Sequence, residues 1–284
     1  MKIKPLVMLL RPHQWLKNLI LFFPAFLGGK LTTIAAFGHV LWLAPLAFCL
    51  ASSAAYIFND ILDRDHDRHH PQKKFRPIAA GKISLSLAAT LGAILLLAGL
   101  LAAAMVSKQF LFTLAAYLFI SVGYSFGWKK RPIVDIFCIS AGFLLRLLAG
   151  GFAFEVNISD WLFLSVFLLS IFLSAGKRAG EQILLGVVGG QHRVSLAAYP
   201  PGFLEGVMIF TGASVLVTYA MYTITHAYLV YTVPLCAFGL LRYLLRVKQG
   251  EGGDPTESLL KDKTLFVVGG LWVFMIGWGL YGSK

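Results

Sequence analysis

The densest polar stretch of the chain, Asn59-Asp60-Ile61-Leu62-Asp63-Arg64-Asp65-His66-Asp67, follows directly on an apolar run. On a helix turning about 100° per residue, Asp60, Asp63 and Asp67 share one face, and Asn59 lies one turn before Asp63. Three carboxylates and an amide oxygen on one stripe repel one another unless a cation lies among them. A hard divalent ion such as Mg2+, which shares carboxylates with substrate phosphates, meets that need. Asp65 falls off the stripe and reads as solvated. The plainer alternative is a solvated helix end neutralised by Arg64, Arg68 and the nearby histidines. The following stretch, His69 to Pro77, favours the metal, because Lys73 and Arg76 supply phosphate-binding groups beside the acids.

A second group runs from Tyr124 through Lys129 to Asp135, where one apolar run ends and the next begins. Arg146 stands eleven residues beyond Asp135, inside an apolar run. An ionisable side chain at that depth is expensive and is expected to face a polar cavity with an anionic partner, or else to make a structural contact between helices. Arg11-Pro12-His13-Gln14-Trp15-Leu16-Lys17-Asn18 opens the first apolar run, with Trp15 as an interfacial anchor and Lys17 either snorkelling or binding phosphate. Gly176-Lys177-Arg178-Ala179-Gly180-Glu181-Gln182 closes the sixth, where Lys177 and Glu181 have the spacing of an ordinary helical ion pair.

Positioning these groups falls to membrane helices. Of 284 residues, 58% are hydrophobic and 13% charged, and the mean hydropathy is +0.75; a soluble domain carries about 25% charged residues. A water-soluble globule, a disordered chain and a disulfide scaffold are excluded. Cys49, Cys138 and Cys236 lie in apolar runs without metal-ligand spacing and read as packing residues. The net charge of +12 suits lipid surface or phosphate rather than nucleic acid, because the bases sit between apolar runs.

Apolar runs predict an all-α polytopic membrane protein of about nine transmembrane helices, near 15–29, 38–62, 85–106, 109–127, 134–154, 161–184, 203–224, 227–246 and 264–282. Pro24, Pro45 and Pro234 fall inside spans and predict kinks. Lys2, Arg193 and most other bases fall on one side; of the 25 Lys and Arg, only Lys30, Lys108, Arg146 and Lys284 do not. The positive-inside rule makes that side cytoplasmic. The expectation is one membrane-embedded domain over 1–284, integral to the inner membrane, its site facing the cytoplasm.

At these residues the chain resembles the UbiA superfamily of intramembrane prenyltransferases, nine-helix proteins whose N-D-x-x-D-x-x-x-D signature is matched by Asn59, Asp60, Asp63 and Asp67. The match is closer to the decaprenyl-phosphate phosphoribosyltransferase branch. Arg11 to Asn18 resembles its R-P-x-Q-W-x-K-N opening, and His70-Pro71 with Lys73, Phe75, Arg76, Pro77 and Ala79-Ala80-Gly81 its H-P-x-K-x-F-R-P-x-A-A-G continuation. Tyr124-Ser125-Phe126-Gly127, Lys129 and Asp135 resemble its Y-S-F-G stretch, and Gly176-Lys177-Arg178 its G-K-R turn.

The resemblance implies phosphoribosyl pyrophosphate as donor, a polyprenyl phosphate as acceptor and Mg2+ as cofactor. Asn59 and Asp63 would bind the metal, Asp60 and Asp67 completing or orienting its shell, with Asp60, Asp63 and Asp67 the catalytic acids. Lys17, Tyr56, Lys73, Lys129 and Arg146 would hold the donor's phosphates and ribose, joined by Asp135, Arg76, Lys177 and Arg178. Aromatic-acceptor members carry a second D-x-x-x-D after the sixth span; here Lys177 to Glu181 lacks the aspartate pair. That weighs against one rival, a prenyltransferase using a prenyl diphosphate donor and an aromatic or glyceryl acceptor. The other is a transporter or lipid-binding scaffold using the acids as an ion site; no inverted repeat supports it.

Overall fold

The computed structural model describes residues 3–69, 73–185, 196, 198–226, 228–251 and 253–282. Lys2, His70, Pro71, Arg193 and Lys284 lie outside the described residues. The described chain is mostly helical and includes no strand. In order it forms α1 (Ile3–Leu10), a 3-10 segment (Pro12–Phe22), α2 (Phe23–Leu27), a second 3-10 segment (Leu31–Phe37), α3 (Val40–Leu62) and α4 (Arg64–His69). It continues with α5 (Leu85–Val106), α6 (Lys108–Phe126), α7 (Val134–Ala153), α8 (Asp160–Leu185), α9 (Phe203–Ile224), α10 (Val233–Lys248), α11 (Pro255–Lys261) and α12 (Lys263–Tyr281). Among the described residues, eight helices are long and apolar enough to cross a bilayer, and nine if the bent pair Lys4–Leu27 and Leu31–Phe37 counts as one span.

Two of the expected kinks are instead helix starts. Pro24 and Pro234 are the second residues of α2 and α10, where the chain passes from 3-10 to α geometry. A proline there forfeits no hydrogen bond, since the first-turn N–H groups have no partner in the helix. Pro45 lies within the continuous α3. The first span also starts earlier than expected, because α1 forms ahead of the 3-10 segment.

The chain divides into two compact units, one of Met1–Ala25, Thr33–Lys129 and Leu145–Asn157, the other of Phe26–Thr32, Lys130–Leu144 and Ile158–Lys284. The first has its core around Leu21, Phe48, Phe110, Leu114 and Phe154. Small residues bring its helices together, as membrane packing requires. A Cβ on Gly99 of α5 would lie 3.1 Å from Ala47 O and Ala51 N of α3, and one on Gly150 of α7 only 2.0 Å from Leu21 O. In the second unit α8, α9 and α10 pack around Phe172, Met208, Val215 and Tyr243. Helix starts are capped by side chains: Ser84 accepts from Leu87 N, Ser107 from Phe110 N, and Asp262 from Leu265 N.

Candidate functional site

In the first unit the signature acids sit where α3 ends. Asp63 terminates that helix with φ −90° and ψ 3°, so the expected single stripe is split across the α3–α4 junction. The chain still bridges it, with Asp63 N–H donating to Asn59 O at 2.9 Å and Asp67 N–H to Asp63 O at 2.8 Å.

The acids fall into two cation-bridged sets. Arg76 donates from one terminal nitrogen to Asp60 Oδ1 at 3.0 Å and Asp67 Oδ2 at 2.6 Å; Arg11 reaches the same Asp60 oxygen at 2.5 Å. Lys129 Nζ lies 2.6 Å from both Asp63 oxygens and 3.2 Å from Asn59 Oδ1. Asp60 and Asp67 are buried, whereas Asn59 and Asp63 are half-buried. Burial pushes the Asp67 carboxyl above its ordinary range, against the opposing pull of Arg76 and Lys73. Asp65 is exposed and pairs with Arg64 and Arg68, as its place off the stripe predicts.

Each cation is delivered by a defined local structure. Trp15 Nε1 donates to Ser53 Oγ, and Ser53 Oγ donates to Leu10 O. These bonds fix the turn before the 3-10 segment against α3, where Arg11 takes up φ 52° and lies 5.1 Å from the Tyr56 ring centroid. Arg76 follows the short 3-10 turn Lys73–Phe75. Its loop closes through Gly81 at φ +68° and is anchored by Ile78 and Ile83 packing with Leu9 and Ile57. Lys129 is carried on the turn Trp128–Lys130. Gly123 makes room for the Trp128 ring, which would meet a Cβ there at 2.7 Å. Lys17 is half-buried in the first 3-10 segment, and Lys73 is half-buried at the head of the Arg76 loop.

Deeper in the same unit, Arg146 is buried and donates to two neutral side chains. Its Nε donates to Asn18 Oδ1 at 2.7 Å and Nη2 to Tyr117 OH at 3.0 Å, and its guanidinium carbon lies 4.4 Å from the Tyr117 ring centroid. Gly150, one turn along α7, admits Leu21 of the 3-10 segment, which brings Asn18 within reach.

In the second unit, Asp135 and Arg178 form a buried ion pair at 2.8 Å. Tyr199 OH donates to Asp135 Oδ1 at 2.6 Å and accepts the N–H of Ile133 at the same distance; Ile133 has φ 66°, rare for a β-branched residue. Burial, reinforced by the bond to Asp135, pushes the Tyr199 phenol up. Lys177 pairs with Asp254 at 3.0 Å, and Glu181 with Arg178 at 2.9 Å, instead of Lys177 with Glu181. Asp254, Tyr199 and Tyr117 carried no sequence signal of chemistry by spacing. Arg11 and Asn18 did, as the two ends of the R-P-x-Q-W-x-K-N stretch.

Among the described residues no three His, Cys, Asp or Glu side chains converge as a metal site. Mg2+ does not require three, since it takes one or two carboxylates with waters and substrate phosphates. Asn59 and Asp63 fit that pattern: hard oxygens four residues apart that already enclose a cationic nitrogen.

A family model described as UbiA prenyltransferase family matches residues 21–268. The decaprenyl-phosphate phosphoribosyltransferase of Corynebacterium glutamicum is 36% identical, covering 96% of this chain and 85% of its own. That of Mycolicibacterium smegmatis is 32% identical, covering 98% and 93%. A solved structure of a UbiA homolog from Archaeoglobus fulgidus bound to GPP and Mg2+ is 20% identical with a TM-score of 0.74, covering 97% of this chain and 98% of that one.

Proposed function

The chain belongs to the UbiA prenyltransferase family and is a membrane-embedded transferase, and from that premise we propose that it moves the 5-phosphoribosyl group of phosphoribosyl pyrophosphate onto a polyprenyl phosphate of decaprenyl type. The observation that carries this reading is the Asn59–Asp63 oxygen pair enclosing Lys129 Nζ, with Lys73 and Arg76 beside it. Lys177 and Arg178 standing where other members place aspartates, together with the names of the relatives, supports a phosphoribosyl donor over a prenyl diphosphate. The excess of bases on one side supports a site facing the cytoplasm, in a single membrane-embedded domain over 1–284.

In this reaction the bond from the anomeric carbon to the diphosphate oxygen breaks, and its electron pair leaves on pyrophosphate. A lipid phosphate oxygen supplies the pair for the new bond to that carbon. The acceptor is already an anion at neutral pH, so no side chain has to remove a proton. The transition state is oxocarbenium-like, and catalysis rests on positioning and on charge stabilisation of the leaving group. Mg2+ held by Asn59 and Asp63 would supply neutralisation of the diphosphate. Lys17, Tyr56, Lys73, Lys129 and Arg146 hold the donor's phosphates and ribose. Asp60 and Asp67 act through Arg11 and Arg76, which they orient. Asp135 and Arg178, buried and paired to each other, position the turn before α7, and Lys177 is a secondary phosphate-binding group.

The test is transfer of labelled ribose phosphate from phosphoribosyl pyrophosphate to polyprenyl phosphate by the purified chain with Mg2+, the lipid product being identified by mass. Asp63→Ala is expected to lower the rate by about a hundredfold or more while the protein still folds. Undiminished transfer by that variant rejects the metal assignment. Consumption of a prenyl diphosphate without phosphoribosyl pyrophosphate rejects the donor.

A further inference from the structure

Lys129 contributes more to the cluster than a phosphate contact. Its ammonium satisfies both oxygens of Asp63 and leans on Asn59, the two side chains best placed to hold a metal. The surrounding charges are already matched: Arg11 and Arg76 on Asp60, Arg76 on Asp67, and Lys129 on Asp63, with Lys73 adding its positive field at Asp67. A free dication entering this set would meet an ammonium at contact distance and leave its own two charges uncompensated. A diphosphate arriving with the dication supplies the missing negative charge and gives the displaced ammonium new oxygens. The flexible four-carbon stem of lysine allows that transfer without movement of a helix.

We propose that Lys129 is the resident counter-cation of the Asn59–Asp63 pair, that it holds free divalent metal off those oxygens, and that it passes to the diphosphate when the donor binds. Metal uptake is then coupled to the donor. The inference rests on the proposed diphosphate chemistry of the site, but metal affinity reads it separately from group transfer.

The probe is Mn2+, titrated into the full-length purified protein with and without inorganic pyrophosphate, and the protein-bound ion is measured by equilibrium dialysis against the same Mn2+–pyrophosphate mixture without protein. The wild type is expected to bind Mn2+ about tenfold or more tightly when pyrophosphate is present. Lys129→Met is expected to bind Mn2+ alone about tenfold or more tightly than the wild type and to gain little from pyrophosphate. Lys129→Arg, which keeps the charge, should resemble the wild type, and Asp63→Asn should lose Mn2+ under every condition. A wild type that binds Mn2+ equally with and without pyrophosphate overturns the proposal, and that comparison needs no variant. So does a folded Lys129→Met with metal-only affinity no higher than the wild type. Failure of the proposed function would appear elsewhere, as absent phosphoribosyl transfer by a wild type that still shows the Mn2+–pyrophosphate coupling.

Discussion

Asp60 and Asp67 are almost wholly withdrawn from solvent, and a buried carboxylate persists as an anion only with a partner. Arg76 serves both, and Arg11 serves Asp60 alone. Replacing Arg76 by Gln therefore leaves Asp67 only the field of Lys73 and weakens Asp60, at about 3–5 kcal/mol, whereas Arg11→Gln leaves Asp60 with Arg76 and is expected to destabilise less. Thermal melts of the two variants in detergent check the order, and equal melting temperatures would refute it. With Arg76 gone, the Asp67 carboxyl, already raised by burial, should rise further and take up a proton at milder acidity. The oxygen donors and bases of this cluster were legible from residue type and spacing, but their partition was not. It depends on Asp63 ending the helix and on Arg11 arriving from 49 residues away, neither of which a local pattern encodes. Arg146 shows the same limit. Its cost in the membrane was legible, yet its neutral partners Asn18 and Tyr117 come from two other helical segments.

Apolar runs of bilayer length predicted α3, α5 to α9 and α12 to within a few residues, because in a membrane the backbone must satisfy itself and long helices are the way a single segment does so. They missed the short α11 and placed the start of α10 six residues early. What the pattern could not show is the 3-10 geometry of Pro12–Phe22, since its apolar content is the same as that of an α-helix. That segment lies in close contact with α7. A Cβ added to Gly150 would stand only 2.0 Å from Leu21 O, so Gly150→Ala must push α7 off the segment that carries Asn18. The expected loss is about 1–3 kcal/mol together with reduced transfer activity, while Gly270→Ala, which meets nothing within 4 Å, should melt as the wild type does. Another element boundary is set by charge. Asp262 caps α12 and binds Arg242 and Arg246. Burial alone would raise its carboxyl, but the Leu265 N–H and the two guanidiniums more than offset this and hold it at about 2, against an ordinary value of 3.8. A depressed carboxyl stabilises the folded state above its unfolded value. This contribution is therefore complete above 3.8 and is lost as pH falls through about 2. Asp262→Asn lacks it, so the gap between wild-type and variant melting temperatures should narrow across that window.

Over the whole molecule the usual rule of burial is inverted: Trp42, Phe112, Phe210 and Trp278 are among its most exposed side chains, each about 70% accessible, while Asp60, Asp135, Arg146 and Arg178 are hidden. In water such a surface would aggregate, and in hydrocarbon it is the favoured one. Sidedness is then expected from the bases, because Lys73 and Lys129 lie in the connections after α4 and α6, and Lys177 and Arg246 lie in the C-terminal parts of α8 and α10, on alternate crossings. The turn between α6 and α7 should face the cytoplasm, and the turn between α7 and α8 the opposite side. Lys130 and Asn157 are exposed positions in these two turns, which makes them reporters that do not disturb the cluster. In a background carrying Cys49→Ser, Cys138→Ala and Cys236→Ala, a membrane-impermeant maleimide should label Asn157→Cys in intact cells and spare Lys130→Cys, with the pattern reversed in inverted vesicles. Labelling of Lys130→Cys from outside intact cells would put Lys129 and the acids it neutralises on the wrong side for a cytoplasmic sugar diphosphate, and the proposed donor would then have no route to the site.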